Sequence, residues 1–176
     1  DQVLYSDDFR SNERGFDLLT QVVGRSGRGT KRGRAIIQTY TPENPVIALA
    51  SHQDYVHFYQ QEILFRKAML YPPFADIVVI GFVGEQESKV TKASQLFLEM
   101  LSHLASKEYS ELPIRALRPT PAQVAKVSNK YRYKLMIKCK NNLTFRTMLS
   151  RLLVACGKEK AFAGVTVYAD SNPDMI

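Results

Sequence analysis

Between residues 75 and 169 the apolar side chains switch repeatedly between two periods, and this constrains the fold more than any other feature of the chain. Over residues 75–83, Ile77, Val79, Gly81 and Val83 recur at every second position and share one side of a strand. Over residues 88–106, Val90, Ala93, Phe97, Met100, Leu101 and Leu104 recur at three and four, the spacing of a helix with one buried stripe. Residues 114–117 read as a short strand, 119–130 as an irregular or partly helical connection, and 131–140 as a strand. Asn142 then caps a helix that runs to Cys156, and residues 165–169 form the last strand. The predicted order is βαββαβ, the split ferredoxin-like arrangement, so the fold class is α/β of the α+β kind.

The residues before this rhythm read differently. Phe16, Leu19, Val22 and Val23 recur at helical spacing after Ser11, a good cap, and Glu13, an anion suited to a first turn. Gly24 weakens that helix, and Gly27 and Gly29 end it. Residues 35–40 are predicted to form a β-branched strand, buried on both sides because Ile36 and Ile37 point oppositely. One helix with one or two strands leaves apolar faces uncovered, so residues 1–41 are not expected to make a domain alone. Residues 42–74 read as a helical linker. Asn44 caps a short helix with Pro45 in its first turn, and Asp54 caps a longer one. In the longer helix Tyr55, Phe58, Tyr59, Ile63, Arg66, Met69 and Leu70 approximate one face, read as packing. Tyr71-Pro72-Pro73-Phe74 stops it. Residues 75–176 are then a basic α/β domain.

Several function classes find no support. The 176 residues are 45% hydrophobic, enough for a buried core in one domain or two small ones. No apolar run approaches the ~18 residues of a membrane span. The chain opens on Asp1-Gln2-Val3, with no secretory leader and no initiator methionine, so it is expected to begin inside a longer protein. Cys139 and Cys156 lack metal-ligand spacing and read as buried thiols in a reducing, cytoplasmic setting. His52, His57 and His103 are scattered, and Asp7-Asp8 has no acid/base counterpart. No metal site is expected.

Charge points toward a polyanion. The net charge is +7, and residues 112–158 contain neither Asp nor Glu. In the strand over 131–140, alternation sends Tyr131, Tyr133, Leu135, Ile137 and Cys139 one way, toward the helices. Arg132, Lys134, Met136, Lys138 and Lys140 go the other way. Such a row, with Lys126 and Lys130 just before it, suits the repeating phosphates of a nucleic acid. Tyr131 and Tyr133 are placed in the core in preference to stacking on a base.

The remaining motif is Gln21-Val22-Val23-Gly24-Arg25-Ser26-Gly27-Arg28-Gly29. Two arginines at a glycine-loosened helix end can grip phosphate in bidentate fashion, or can simply close a helix with a solvated basic loop. The nine residues resemble motif VI of the superfamily 2 helicases, Gln-x-x-Gly-Arg-x-Gly-Arg, at Gln21, Gly24, Arg25, Gly27 and Arg28. Asp8-Phe9-Arg10-Ser11-Asn12-Glu13-Arg14, Leu18-Leu19-Thr20-Gln21, Ile36-Ile37-Gln38-Thr39-Tyr40, Tyr71-Pro72-Pro73-Phe74 and Pro119-Thr120-Pro121-Ala122 extend the likeness over nearly the whole chain. Together they resemble one branch, the primosomal replication-restart helicases, the primosomal protein N′ (PriA) family.

The resemblance implies that residues 1–41 are the end of a second RecA-like lobe, and that the last domain is a small α/β module similar to a ribosomal small-subunit protein. It implies an ATP-dependent 3′→5′ DNA helicase that binds stalled forks and D-loops and assembles the primosome at the nucleoid. Its ATP and Mg²⁺ would be held mainly by elements absent from these residues, where no P-loop pattern occurs, and its zinc by cysteines before this segment. Arg28 would be the arginine finger on the γ-phosphate, Arg25 its assistant, and Gln21 and Gly24 further nucleotide contacts. Partners would be DNA and single-stranded DNA-binding protein, whose acidic tail would meet Arg146, Arg151 and Lys138, along with other primosome proteins. Two other readings compete: a stand-alone, non-enzymatic nucleic-acid-binding module, and an interaction domain that docks an acidic protein.

Overall fold

A computed structural model describes residues 1–6, 8–25 and 34–173. These fall into two compact units, one over Asp1–Met69 and one from Leu70 onward. The first is helical: α1 (Ser11–Arg25), α2 (Pro45–Ser51) and α3 (Tyr55–Met69). The caps predicted at Asn44 and Asp54 are in place, whereas Ser11 is already the first residue of α1. Asn44 accepts from the Val46 N–H at 2.9 Å, and Asp54 from the His57 N–H at 3.2 Å. Phe16, Val46, Ala50 and Phe58 form its core, with the Phe16 and Phe58 rings stacked at 4.2 Å.

Two expectations for this unit need correction. Residues 35–40 form no strand, and Ile36 is 81% exposed. A strand exists only by pairing, and every ladder among the described residues lies in the second unit. The apolar face of α3 is also narrower than predicted: Phe58 and Glu62 are buried, whereas Tyr55, Tyr59 and Met69 are exposed. Val56, Leu64 and Phe65 are exposed on the same helix, so its apolar residues encircle it and define no single stripe. Glu62 tolerates burial because it accepts from Arg66 at 2.9 Å and from Asn12 at 3.2 Å.

The second unit contains β1 (Asp76–Gly84), α4 (Glu87–Glu108), β2 (Arg115–Ala116), β3 (Thr120–Val127), β4 (Lys130–Cys139), α5 (Leu143–Lys158) and β5 (Val165–Ser171). The strands make one antiparallel sheet in the order β2-β4-β1-β5, with β3 also paired to β4. This is the predicted split βαββαβ order with one strand added. Val78, Ile80 and Phe82 of β1 and Leu135 and Ile137 of β4 share one sheet face. They pack against Val90, Ala93, Phe97 and Leu101 of α4 and Phe145, Met148 and Leu152 of α5. Asn142 caps α5 by accepting from the Phe145 N–H at 2.9 Å.

The added strand corrects the reading of residues 119–130 as irregular or helical. Ser128 and Asn129, at φ 47° and 61°, make a tight two-residue turn, and Val127 pairs with Lys130 across it. Both turn residues are left-handed, the geometry that matches the twist of a hairpin. A register shift between Pro121 and Lys126 interrupts the two-residue period, which is why alternation did not reveal the strand.

Candidate nucleic-acid interface

Within the second unit, α4 and α5 cover one face of the sheet and leave the other bare. On the covered face Leu135, Ile137 and Cys139 of β4 are buried. Tyr131 and Tyr133 lean on the same core, as predicted. The Tyr133 hydroxyl donates to Glu87 at 3.2 Å, and the Lys126 ammonium lies 4.6 Å from the Tyr131 ring centre and donates to its hydroxyl at 3.3 Å. Burial raises the thiol pKa of Cys139 to about 12 and that of Cys156 to about 11, so both are inert thiols rather than nucleophiles.

The other face carries the alternate residues in register. Arg132 lies opposite Val83, whose further neighbour is Thr166; Lys134 lies opposite Gly81, whose further neighbour is Tyr168. Met136 follows opposite Val79 and Asp170, then Lys138 opposite Ile77 on one side and Arg115 on the other. Thr166, Tyr168 and Asp170 are exposed, and Arg132, Lys134 and Met136 are half-buried. Lys130 extends this positive surface from the β3–β4 hairpin and is exposed, whereas Lys126, exposed but paired with Tyr131, lies on the side of the covered face.

The row is not uniform along its length. Lys138 is only 6% exposed, and its ammonium lies 3.8 Å from the centre of the Tyr71 ring. Burial, then the nearby Arg115 charge, lowers its pKa. With Arg115 and Lys140 it lines a cleft of about 650 Å³ walled by Leu70, Pro73, Phe74 and Ile114. Arg132 and Lys134 are therefore brought together on the open face, while Lys138 and Lys140 belong to the cleft.

The two remaining basic candidates sit on α5, on the opposite side of the sheet. Arg146 is exposed. Arg151 grips Glu108 with two hydrogen bonds, at 2.7 and 3.3 Å, and donates to the Tyr109 hydroxyl at 2.9 Å. The Arg151 hydrogen bonds lower the Glu108 pKa, so this arginine already serves to tie α5 to the end of α4.

One residue of the open face escaped sequence reasoning. Tyr168 of β5 lies across Gly81, and a Cβ built on that glycine would stand 2.2 Å from the tyrosine ring. Alternation from Val165 places Thr166 and Tyr168 away from the core. A lone glycine inside β1 was the matching signal that something approaches its backbone closely.

In the first unit Gln21, Gly24 and Arg25 occupy the end of α1 and are exposed. Gln21 and Arg25, four apart, share a side of the helix. Gly27 and Arg28 lie outside the described residues. The exposed Gln21 and Arg25 side chains are compatible with a phosphate ligand presented from outside the helix.

Comparison with known proteins assigns the family. Residues 67–173 match the family described as Primosomal protein N C-terminal domain. The chain belongs to this family. The primosomal match spans nearly all of the second unit, including the open sheet face and its hairpin. The chain is also 35% identical over 176 residues to "Replication restart protein PriA" of Synechocystis sp., covering 100% of this chain and 20% of that protein. It is 34% identical over 176 residues to the protein of the same name from Bacillus subtilis, covering 21% of it. The Treponema pallidum protein of that name is 31% identical over 175 residues. The chain thus spans about a fifth of the length of the first two relatives. A solved hydantoinase/carbamoylase family amidase from Burkholderia ambifaria superposes at a TM-score of 0.34 with 18% identity, over 55% of this chain and 27% of that one, a likeness too loose to bear on fold or function. Among the described residues no helix is long and apolar enough to cross a membrane.

Proposed function

We propose that this chain is the C-terminal part of an ATP-dependent replication restart helicase, and that its second unit is a DNA-binding element. The observation that carries the reading is the sheet face left uncovered by α4 and α5 in a primosomal family domain, with Arg132 and Lys134 in adjacent alternate positions and Lys130 on the hairpin beside them. Guanidinium and ammonium groups in such a row replace the counterions of a phosphate backbone, which gives affinity without reading sequence. Lys138 contributes less, since Tyr71 and the surrounding chain already occupy it. Of the cations considered for an acidic protein tail, such as that of single-stranded DNA-binding protein, exposed Arg146 is the best placed, because Arg151 is engaged by Glu108.

In the longer enzyme, ATP with Mg²⁺ would supply the phosphate for Gln21, Gly24 and Arg25 at the end of α1 and for Arg28 beyond it in sequence. Arg28 would stabilise charge on the transferring phosphoryl group, and Arg25 would link nucleotide state to lobe closure. Arg28→Ala in the full-length protein is expected to abolish DNA-stimulated ATP hydrolysis and to leave fork binding nearly intact. Hydrolysis at the wild-type rate would sink the arginine-finger assignment.

A further inference from the structure

The proposed DNA surface has an aromatic ring lying in the middle of it. Tyr168 pairs in register with Gly81, and Gly81 with Lys134 on the next strand. A Cβ on Gly81 would meet the far end of the tyrosine, 2.2 Å from Cζ, 2.4 Å from Cε1 and 2.6 Å from the hydroxyl oxygen. The ring is therefore laid over β1 at the position that has no side chain, reaching toward β4. The core aromatics Phe82 and Phe97 are 0% exposed, whereas Tyr168 is 42% exposed. Thr166, two residues before it on the same face, is exposed as well, and Arg132 and Lys134 lie on the strand beyond Gly81.

An exposed ring seated on a glycine, about one strand spacing (~4.8 Å) from a basic strand, supplies what an unpaired nucleotide needs. Its π face accepts a base by stacking, and the neighbouring cations take the phosphates. A duplex cannot use the ring in this way, because its bases are already stacked on one another. We propose that Tyr168, seated over Gly81, is a base-stacking platform, and that the ligand of this face is single-stranded DNA. The inference rests on the reading of the face as a DNA-binding surface.

The chain contains no tryptophan, so Tyr168→Trp puts a sole indole at the platform. Single-stranded oligonucleotide is expected to quench that fluorescence, and duplex of equal length is not. Tyr168→Ala should weaken single-strand binding roughly tenfold and duplex binding by less than about twofold, while Tyr168→Phe keeps both. Gly81→Ala, whose methyl group evicts the ring, should reproduce the Tyr168→Ala loss with the tyrosine still present. Unquenched indole at saturating single strand, or undiminished binding by both the Tyr168→Ala and Gly81→Ala proteins, overturns the proposal. The indole signal decides the matter if the alanine variants fail to fold. Arg132→Ala with Lys134→Ala separates the two claims: loss of binding there, with none at Tyr168, removes the platform and keeps the DNA surface. Absence of binding to either DNA by the wild-type chain removes both.

Discussion

The Lys138 ammonium lies under the Tyr71 ring while its register neighbour Arg115 repels it, and these two facts set how the residue titrates. Attraction to the ring partly offsets the cost of burial. Burial and the Arg115 charge together hold the folded pKa below the ordinary 10.5. Between that lowered value and 10.5 the unfolded chain binds more protons than the folded one, so stability rises with pH through this window. Below it, the buried charge imposes a constant cost. Lys138→Met should therefore be at least as stable as wild type near neutrality, and should lose the alkaline rise when urea midpoints are measured against pH. A loss of more than about 1 kcal/mol at pH 7 would mean that the charge itself holds Tyr71 in place. By the same residue-level logic Cys139 and Cys156, with pKa values pushed up to about 12 and about 11, should react with a thiol reagent only after unfolding.

Among the elements, α5 owes its start to one side chain and α4 its seat to one ring. Asn142→Ala removes the acceptor for the Phe145 N–H and is expected to cost about 1 kcal/mol, read as a lower thermal midpoint. Phe97, fully buried and edge-on to Phe82 at 5.5 Å, should cost about 3–5 kcal/mol as Phe97→Ala, enough to unfold much of the second unit. Both helices were legible in the sequence, because a cap or an apolar stripe is a local signal that burial then confirms. β4 was legible for the same reason, its alternation matching the two sheet faces, whereas β1 is apolar on both sides and its core residues are Val78, Ile80 and Phe82, between the Ile77, Val79, Gly81 and Val83 that the sequence singled out. Elements whose signal depends on a partner were not. Residues 35–40 are rich in β-branched side chains yet pair with nothing described, and β3 hides its period behind a register shift and Pro121. The basic row was visible in the sequence, but the ring that covers Lys138 comes from Tyr71, which is far away in sequence. Tyr168 went unnoticed because its meaning lies in Gly81, on another strand.

Across the whole molecule, an acid-free run of the sequence is distributed over a folded unit in which one sheet face buries the core and the other presents Arg132, Lys134 and Lys130 of the hairpin. Such a surface should bind DNA with an affinity set by counterion release, and each lost phosphate contact should lower the logarithmic salt slope by about one. The exposed Arg146, on the helical side, should matter little to DNA affinity, and Arg146→Ala is expected to leave it nearly unchanged. The most direct test is a salt titration of binding to fork, duplex and single-stranded DNA by the wild-type chain and by Arg132→Ala/Lys134→Ala. The account predicts steep salt dependence for the wild type and a slope shallower by roughly two in the double variant. Equal slopes and affinities for the two proteins would contradict it, and would move the DNA contacts, if there are any, off the open sheet face.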